Sequence, residues 1–212
     1  MLNAETIEQS AAHSASPTES EGPERRMGVP GSANRLLMLD AAETILCEEG
    51  YGALSSRRVA EQAGFKQRLV YYYFHSMGDL VVEMFRRMAK RELARIEQAA
   101  ASLHPLRALW DIATHSSDPR LTAEFMVLAN RNSALKDDVV AYVAQTRAIH
   151  VAALTKAMAQ SDVSSGLTPE AVAVMANNLA ISLTRETALG ITAGHGELAA
   201  LVTRFLDGVE PL

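Results

Sequence analysis

The sequence predicts an all-α protein, with an N-terminal three-helix helix-turn-helix unit followed by a larger helical body. Three observations carry this. Ala, Leu and Val dominate while aromatics make up only 5% of the chain, a composition that favours helix over strand. No run of alternating β-branched residues bounded by turn pairs occurs. Apolar residues instead recur at intervals of three and four between well-marked helix starts and stops.

The elements follow in order. Residues 1–33 are rich in Ser, Ala, Glu, Gly and Pro without a sustained apolar period, and are expected to form a disordered tail. Met27 is an alternative start. Arg25 and Arg26 follow five glutamates and read as part of a solvated tail rather than a minor-groove arm. A first helix is expected over 34–48, with Met38, Leu39, Ala42, Ile45 and Leu46 as its buried stripe and Gly50 as its stop. Ser55 or Ser56 caps a second helix ending near Ala63, Gly64 permits the turn, and a third helix covers 66–74. Ser76 caps a long fourth helix over 79–101, with Asp79 at its positive end. His104-Pro105, Asp118-Pro119, Ser133 and Thr168-Pro169-Glu170 each open a further helix, and the last runs over 195–208. The resulting division is a tail (1–33), a helix-turn-helix domain (34–78) and a larger helical body (79–212), to which the family resemblance described below assigns ligand binding and dimerisation.

The segment SSRRVAEQAGFKQRLVYYYF at 55–74 carries the chemistry. Phe65, Val70 and Phe74 fall where they can face inward together. Gln67, Arg68, Tyr71 and Tyr72 form one outward stripe. Arg68 can fork onto guanine O6 and N7, and Gln67 can pair with adenine N6 and N7. The tyrosine hydroxyls suit phosphate oxygens. Lys66 and Arg57 add charge, and the start of the second helix offers free N–H groups. Tyr73 fits equally well against the fourth helix. The whole chain has a net charge of −5. Within 55–74, however, Arg57, Arg58, Lys66 and Arg68 face a single anion, Glu61, leaving the segment at +3. An acidic body with a basic head suits a specific duplex binder that does not coat DNA indiscriminately.

The stretch MLDAAETILCEEGYGALSSRRVAEQAGFKQRLVYYYFHSMGDL resembles the DNA-binding domain of TetR-family transcriptional regulators over about 34–85. The resemblance rests on the LDAA start, the EEGY stop, the RxVAExAG second helix and the Y-x-x-F end of the third. It implies DNA contacts at Ser55, Ser56, Arg57, Lys66, Gln67, Arg68, Leu69, Tyr71 and Tyr72. Three positions depart from the family pattern. Leu69 stands where Thr is common, Arg68 where a small residue or Pro is common, and Met77 where a phosphate-binding Lys is frequent. The first two imply an unusual operator, and the third implies one backbone contact fewer per subunit.

The resemblance further implies a dimerising, ligand-binding helical body. The apolar faces Val172, Met175, Leu179, Leu183 and Leu198, Leu201, Val202, Phe205 are expected to pair with their copies in a four-helix interface. Gly190, Gly194 and Gly196 would allow a tight crossing between the two helices. Trp110, His115, Phe125, Met126, Asn130, His150, Met175 and Asn178 are candidates to line a pocket for a hydrophobic small molecule. No paired His or Cys spacing supports a metal site. No nucleophile elbow, phosphate loop or HExxH motif suggests an enzyme, and the GxG at 194–196 follows helix rather than strand. No cofactor is expected. Cys47 reads as a small buried hydrophobe.

With no apolar run long enough for a bilayer and no export signal, the expected protein is cytoplasmic. The resulting expectation is a homodimeric repressor on a palindromic operator, released by a small hydrophobic effector. Activation within the same family and a helical protein-interaction adaptor remain alternatives.

Overall fold

The computed structural model describes residues 32–115, 119–161 and 166–211. The expected tail therefore lies outside the described residues except at its very end, where Ala33 opens the first helix. Among the described residues the fold is nine α-helices and no strands. They are α1 (Ala33–Glu49), α2 (Ser56–Ala63), α3 (Gln67–Tyr73), α4 (Met77–Ala100), α5 (Pro105–His115), α6 (Pro119–Ala129), α7 (Ser133–Ala159), α8 (Pro169–Ala188) and α9 (His195–Val209).

Local chemistry explains the boundaries. The side chains of Ser55, Ser76, Asn132 and Thr168 each accept a hydrogen bond from the backbone N–H three residues on, satisfying donors that an α-helix leaves unpaired at its start. Pro169 follows its cap at the first helical position. Gly64 ends α2 at φ 75°, a left-handed conformation that permits the abrupt turn into α3. A 3₁₀ turn at Tyr51–Ala53 joins α1 to α2, and nothing in the sequence pattern marked it.

The largest core is shared between the N-terminal helices and the body. Met38, Ile45 and Leu46 of α1, Val59 of α2 and Val70 of α3 pack with Leu80, Met84 and Phe85 of α4. Phe125 of α6 and Leu135 of α7 close the same cluster. The Phe85 ring meets Phe125 and Tyr142 edge-on, at centroid distances of 5.2 and 5.9 Å. Outside this core, the α1–α4 seam is laced with ion pairs from Arg35 to Glu83, from Arg87 to Asp40 and from Arg91 to Glu43. A smaller cluster joins Ile96 and Ala99 of α4 to Leu109 of α5. A third joins Leu106, Leu154, Ala173, Leu206 and Val209 of α5, α7, α8 and α9.

Two contacts, one of them long-range, hold the C-terminal helices. The buried carboxylate of Glu210 accepts from the backbone N–H groups of Leu106 and Arg107, both at 3.0 Å. A residue a hundred positions downstream thus caps α5, and Arg107 returns a bond to Asp207 at 2.6 Å. Between α8 and α9, the His195 ring lies 3.0 Å from a Glu186 carboxylate oxygen, and the Ser182 hydroxyl donates to the other oxygen. These two contacts hold the Glu186 carboxyl below the usual carboxylate range, His195 contributing most.

Two stability tests follow. Glu210→Ala is expected to lower unfolding free energy by about 2 kcal/mol in urea titration, because it strands two α5 donors. Gly64→Ala, where a Cβ meets no neighbour within 4 Å, is expected to cost about 1–2 kcal/mol from backbone conformation alone.

Candidate nucleic-acid interface and internal cavity

The α2–α3 elbow carries a basic, hydroxyl-rich outer face on an apolar footing. Val70, Tyr73 and Phe74 are buried in the main core, and Phe65 packs against it from a half-buried position. Ser55, Arg57, Lys66, Gln67, Arg68, Tyr71 and Tyr72 are exposed. The expected division of the third helix into inner and outer faces is therefore the one observed. Tyr73 falls on the inner side, its ring edge-on to Tyr72 at 5.1 Å.

Two residues of the expected contact set are placed differently. Ser56 is buried at 5% exposure. Its hydroxyl donates to the Tyr71 hydroxyl at 3.0 Å and accepts from the Gln67 amide at 2.9 Å. It serves as the hub between α2 and α3, fixing the posture of two outward side chains. Leu69 is half-buried against the main core, because the helical turn that exposes Arg68 carries its neighbour inward.

The hub leaves useful capacity facing outward. Tyr71 accepts within the network, so its own O–H hydrogen stays available to an acceptor, and Gln67 keeps its carbonyl and one N–H. The four cations of the segment differ in state. Arg57 pairs with Glu61 at 2.9 Å in an exposed i,i+4 arrangement, which is weak and easily exchanged for a phosphate. Arg58 grips both carboxylate oxygens of Glu49, tying the start of α2 to the end of α1. This bond holds the Glu49 carboxyl below its ordinary range. Among the described residues, neither Lys66 nor Arg68 has an ion-pair partner. Sequence reasoning missed Arg35, whose guanidinium lies 5.2 Å from the Phe74 ring centre while also pairing with Glu83. It thereby links α1, α4 and the end of α3. Met77, at the first position of α4, packs against the core from a half-buried position.

A second feature lies in the body. A cavity of about 620 Å³ opens between α5, α7, α8 and α9. Of the eight residues expected to line a pocket, Trp110, His150, Met175 and Asn178 line this cavity. The other four do not. Phe125 is buried beside Phe85 in the main core. Met126 and Asn130 are exposed on or just past α6, a helix that contributes nothing to the cavity wall. His115 is exposed at the end of α5, its ring beside the Thr114 hydroxyl. Seven of the eight apolar residues expected on the paired faces of the last two helices also line the cavity; the exception is Leu183. Met175, Leu198 and Leu201 nevertheless keep 60%, 36% and 53% exposure at its open side. Among the described residues there is no group of three metal-ligating side chains, and no helix is long and apolar enough to cross a membrane.

The family model described as bacterial regulatory proteins, tetR family, matches residues 38–84, which span α1 through the first turns of α4. Solved structures similar to this chain extend over the body as well. A TetR transcription regulator from Haloarcula marismortui is 19% identical, covers 82% of this chain and 96% of its own, and superposes with a TM-score of 0.68. E. coli NemR in its reduced form is 14% identical over 81% of this chain and 96% of its own, at 0.66. SmeT in complex with triclosan is 19% identical over 74% of this chain and 81% of its own, at 0.58. At these identities the structures speak to the fold alone. No curated protein matches the chain. Residues 38–84 thus carry the helix-turn-helix of the tetR family model, and the chain as a whole shares the fold of these regulators.

Proposed function

We propose that the chain is a homodimeric transcriptional repressor of a palindromic operator, with 34–78 as its reading head and 79–212 as its sensing and dimerising body. The observation that carries this is the outer face of α3. Arg68 and Lys66 are free of ion pairs among the described residues, and Gln67 and Tyr71 are held in position by the buried Ser56 hydroxyl. In the groove, Arg68 and Gln67 read base edges. Ser55, Arg57, Lys66, Tyr71 and Tyr72 serve the backbone.

The dimer is supported by apolar side chains left exposed on α8 and α9, among them Ile181 at 48% alongside Met175, Leu198 and Leu201. Large apolar side chains left exposed on two neighbouring helices suit an interface, and a helix-turn-helix gains affinity from two half-sites. The effector is supported by the cavity and by SmeT, a structure of similar fold solved with triclosan. Occupancy has a physical route to the head. Leu109 lines the cavity and packs on Ile96 and Ala99 of α4. The same helix then enters the main core through Leu80, Met84 and Phe85. An effector that moves α5 therefore moves α4, and the two heads lose their match to the groove repeat. A difference of a few kcal/mol between the two states is enough to switch binding.

Three outcomes are expected. Against a duplex selected from a random pool, Arg68→Ala weakens binding and relaxes base preference by about 1–3 kcal/mol at one position. Wild-type affinity falls with log salt at a slope near −0.9 for each phosphate neutralised. A flat salt response would instead mark a protein-interaction adaptor. Ile181→Asp shifts the protein to monomer in sedimentation and loses affinity for the two-half-site duplex. Gel shifts in which neither substitution changes binding would overturn the proposal.

A further inference from the structure

The cavity wall carries no Asp, Glu, Lys or Arg among the described residues. Its volume of about 620 Å³ is that of a small-molecule site. Within this uncharged wall one polar group has a fixed sense. The half-buried His150 places Nδ1 2.7 Å from the Thr146 carbonyl oxygen, one turn back on α7. A carbonyl only accepts, so Nδ1 carries the hydrogen. In the neutral imidazole Nε2 is then a bare acceptor, and it has no partner among the described residues. On α8, the exposed Asn178, also in the lining, donates its amide N–H to the Val174 carbonyl at 2.8 Å, which leaves its Oδ1 as an acceptor.

Building on the effector reading above, we propose that this cavity takes a neutral, largely apolar molecule bearing a hydroxyl group, which donates its hydrogen to His150 Nε2. The apolar part of the ligand packs against Trp110, Leu154, Val202 and Phe205. A ligand of the same shape without the donor covers the Nε2 lone pair and leaves it unpaired, and that loss weakens its binding. A carboxylate is excluded because the wall offers no cation to offset its desolvation. A purely apolar ligand fits the space and forfeits the anchor.

Calorimetry on the full chain tests this with three probes of one shape: para-cyclohexylphenol, its methyl ether para-cyclohexylanisole, and para-cyclohexylbenzoate. The phenol is expected to bind at least about tenfold tighter than the ether, and the benzoate not measurably. His150→Phe keeps the volume but removes the acceptor, and should bring the phenol down to the level of the ether. Ala113→Phe, which intrudes on the cavity from α5, should abolish both. The comparison of phenol with ether in the wild-type protein stands even if a variant misfolds. Equal binding of phenol and ether, or a preference that survives His150→Phe, overturns the hydroxyl anchor. If Ala113→Phe still removes that binding, the effector cavity itself stands. Failure of all three probes to bind, as when side chains of a second copy fill the space, overturns the anchor and the effector cavity together.

Discussion

The fold depends on α4 belonging to two cores at once. Its first half, through Leu80, Met84 and Phe85, completes the hydrophobic cluster under the helix-turn-helix. Its second half, through Ile96 and Ala99, is packed by Leu109 of the body. Each large side chain buried this way contributes on the order of 1.5–3 kcal/mol, so neither half of the helix moves independently of its neighbours. Ion pairs from Arg35, Arg87 and Arg91 run along the α1–α4 seam and fix the rotational setting of the two helices. Because Arg35 also rests over Phe74, the setting of α4 reaches the end of α3 directly. The N-terminal helices share their main core with α4, α6 and α7, so the outer face of α3 rests on packing that the body completes.

A seven-residue helix is too short to be stable in isolation, and its outward side chains would sample many rotamers if left alone. The buried Ser56 hydroxyl addresses both problems, since it bonds to Gln67 and Tyr71 from the neighbouring helix. The outward groups are thereby held in place, and on the proposed function this would reduce the entropy lost when a duplex binds. The arrangement also separates roles within one short stretch. Ser56 and Leu69 hold the helix, Arg58 ties α2 to α1, and the remaining polar residues face solvent.

Much of this was legible in the sequence because it is governed locally. Caps at Ser55, Ser76 and Thr168, the left-handed Gly64 and the inward set Val70 and Phe74 follow from spacing and residue type within a turn or two. The features that escaped are those decided at long range. Glu210 caps α5 from the far end of the chain, and Arg35 finds Glu83 forty-eight positions away. No local pattern announces either. The body shows the same limit. Amphipathic spacing revealed that α8 and α9 have apolar faces, without revealing that seven of those side chains surround a cavity. Pocket residues on α6 were misplaced for the same reason: periodicity says which residues are apolar together, and packing decides which neighbour they meet.

The central claim is that the outer face of α3, held by α2, is the surface that grips a duplex. Hydrogen exchange with and without a selected DNA duplex at low ionic strength tests it most directly. The account predicts that new protection concentrates over residues 55–58 and 66–72, with the far helices α8 and α9 unchanged in the preformed dimer. Protection that spares these two segments, or that gathers on the body instead, would contradict it.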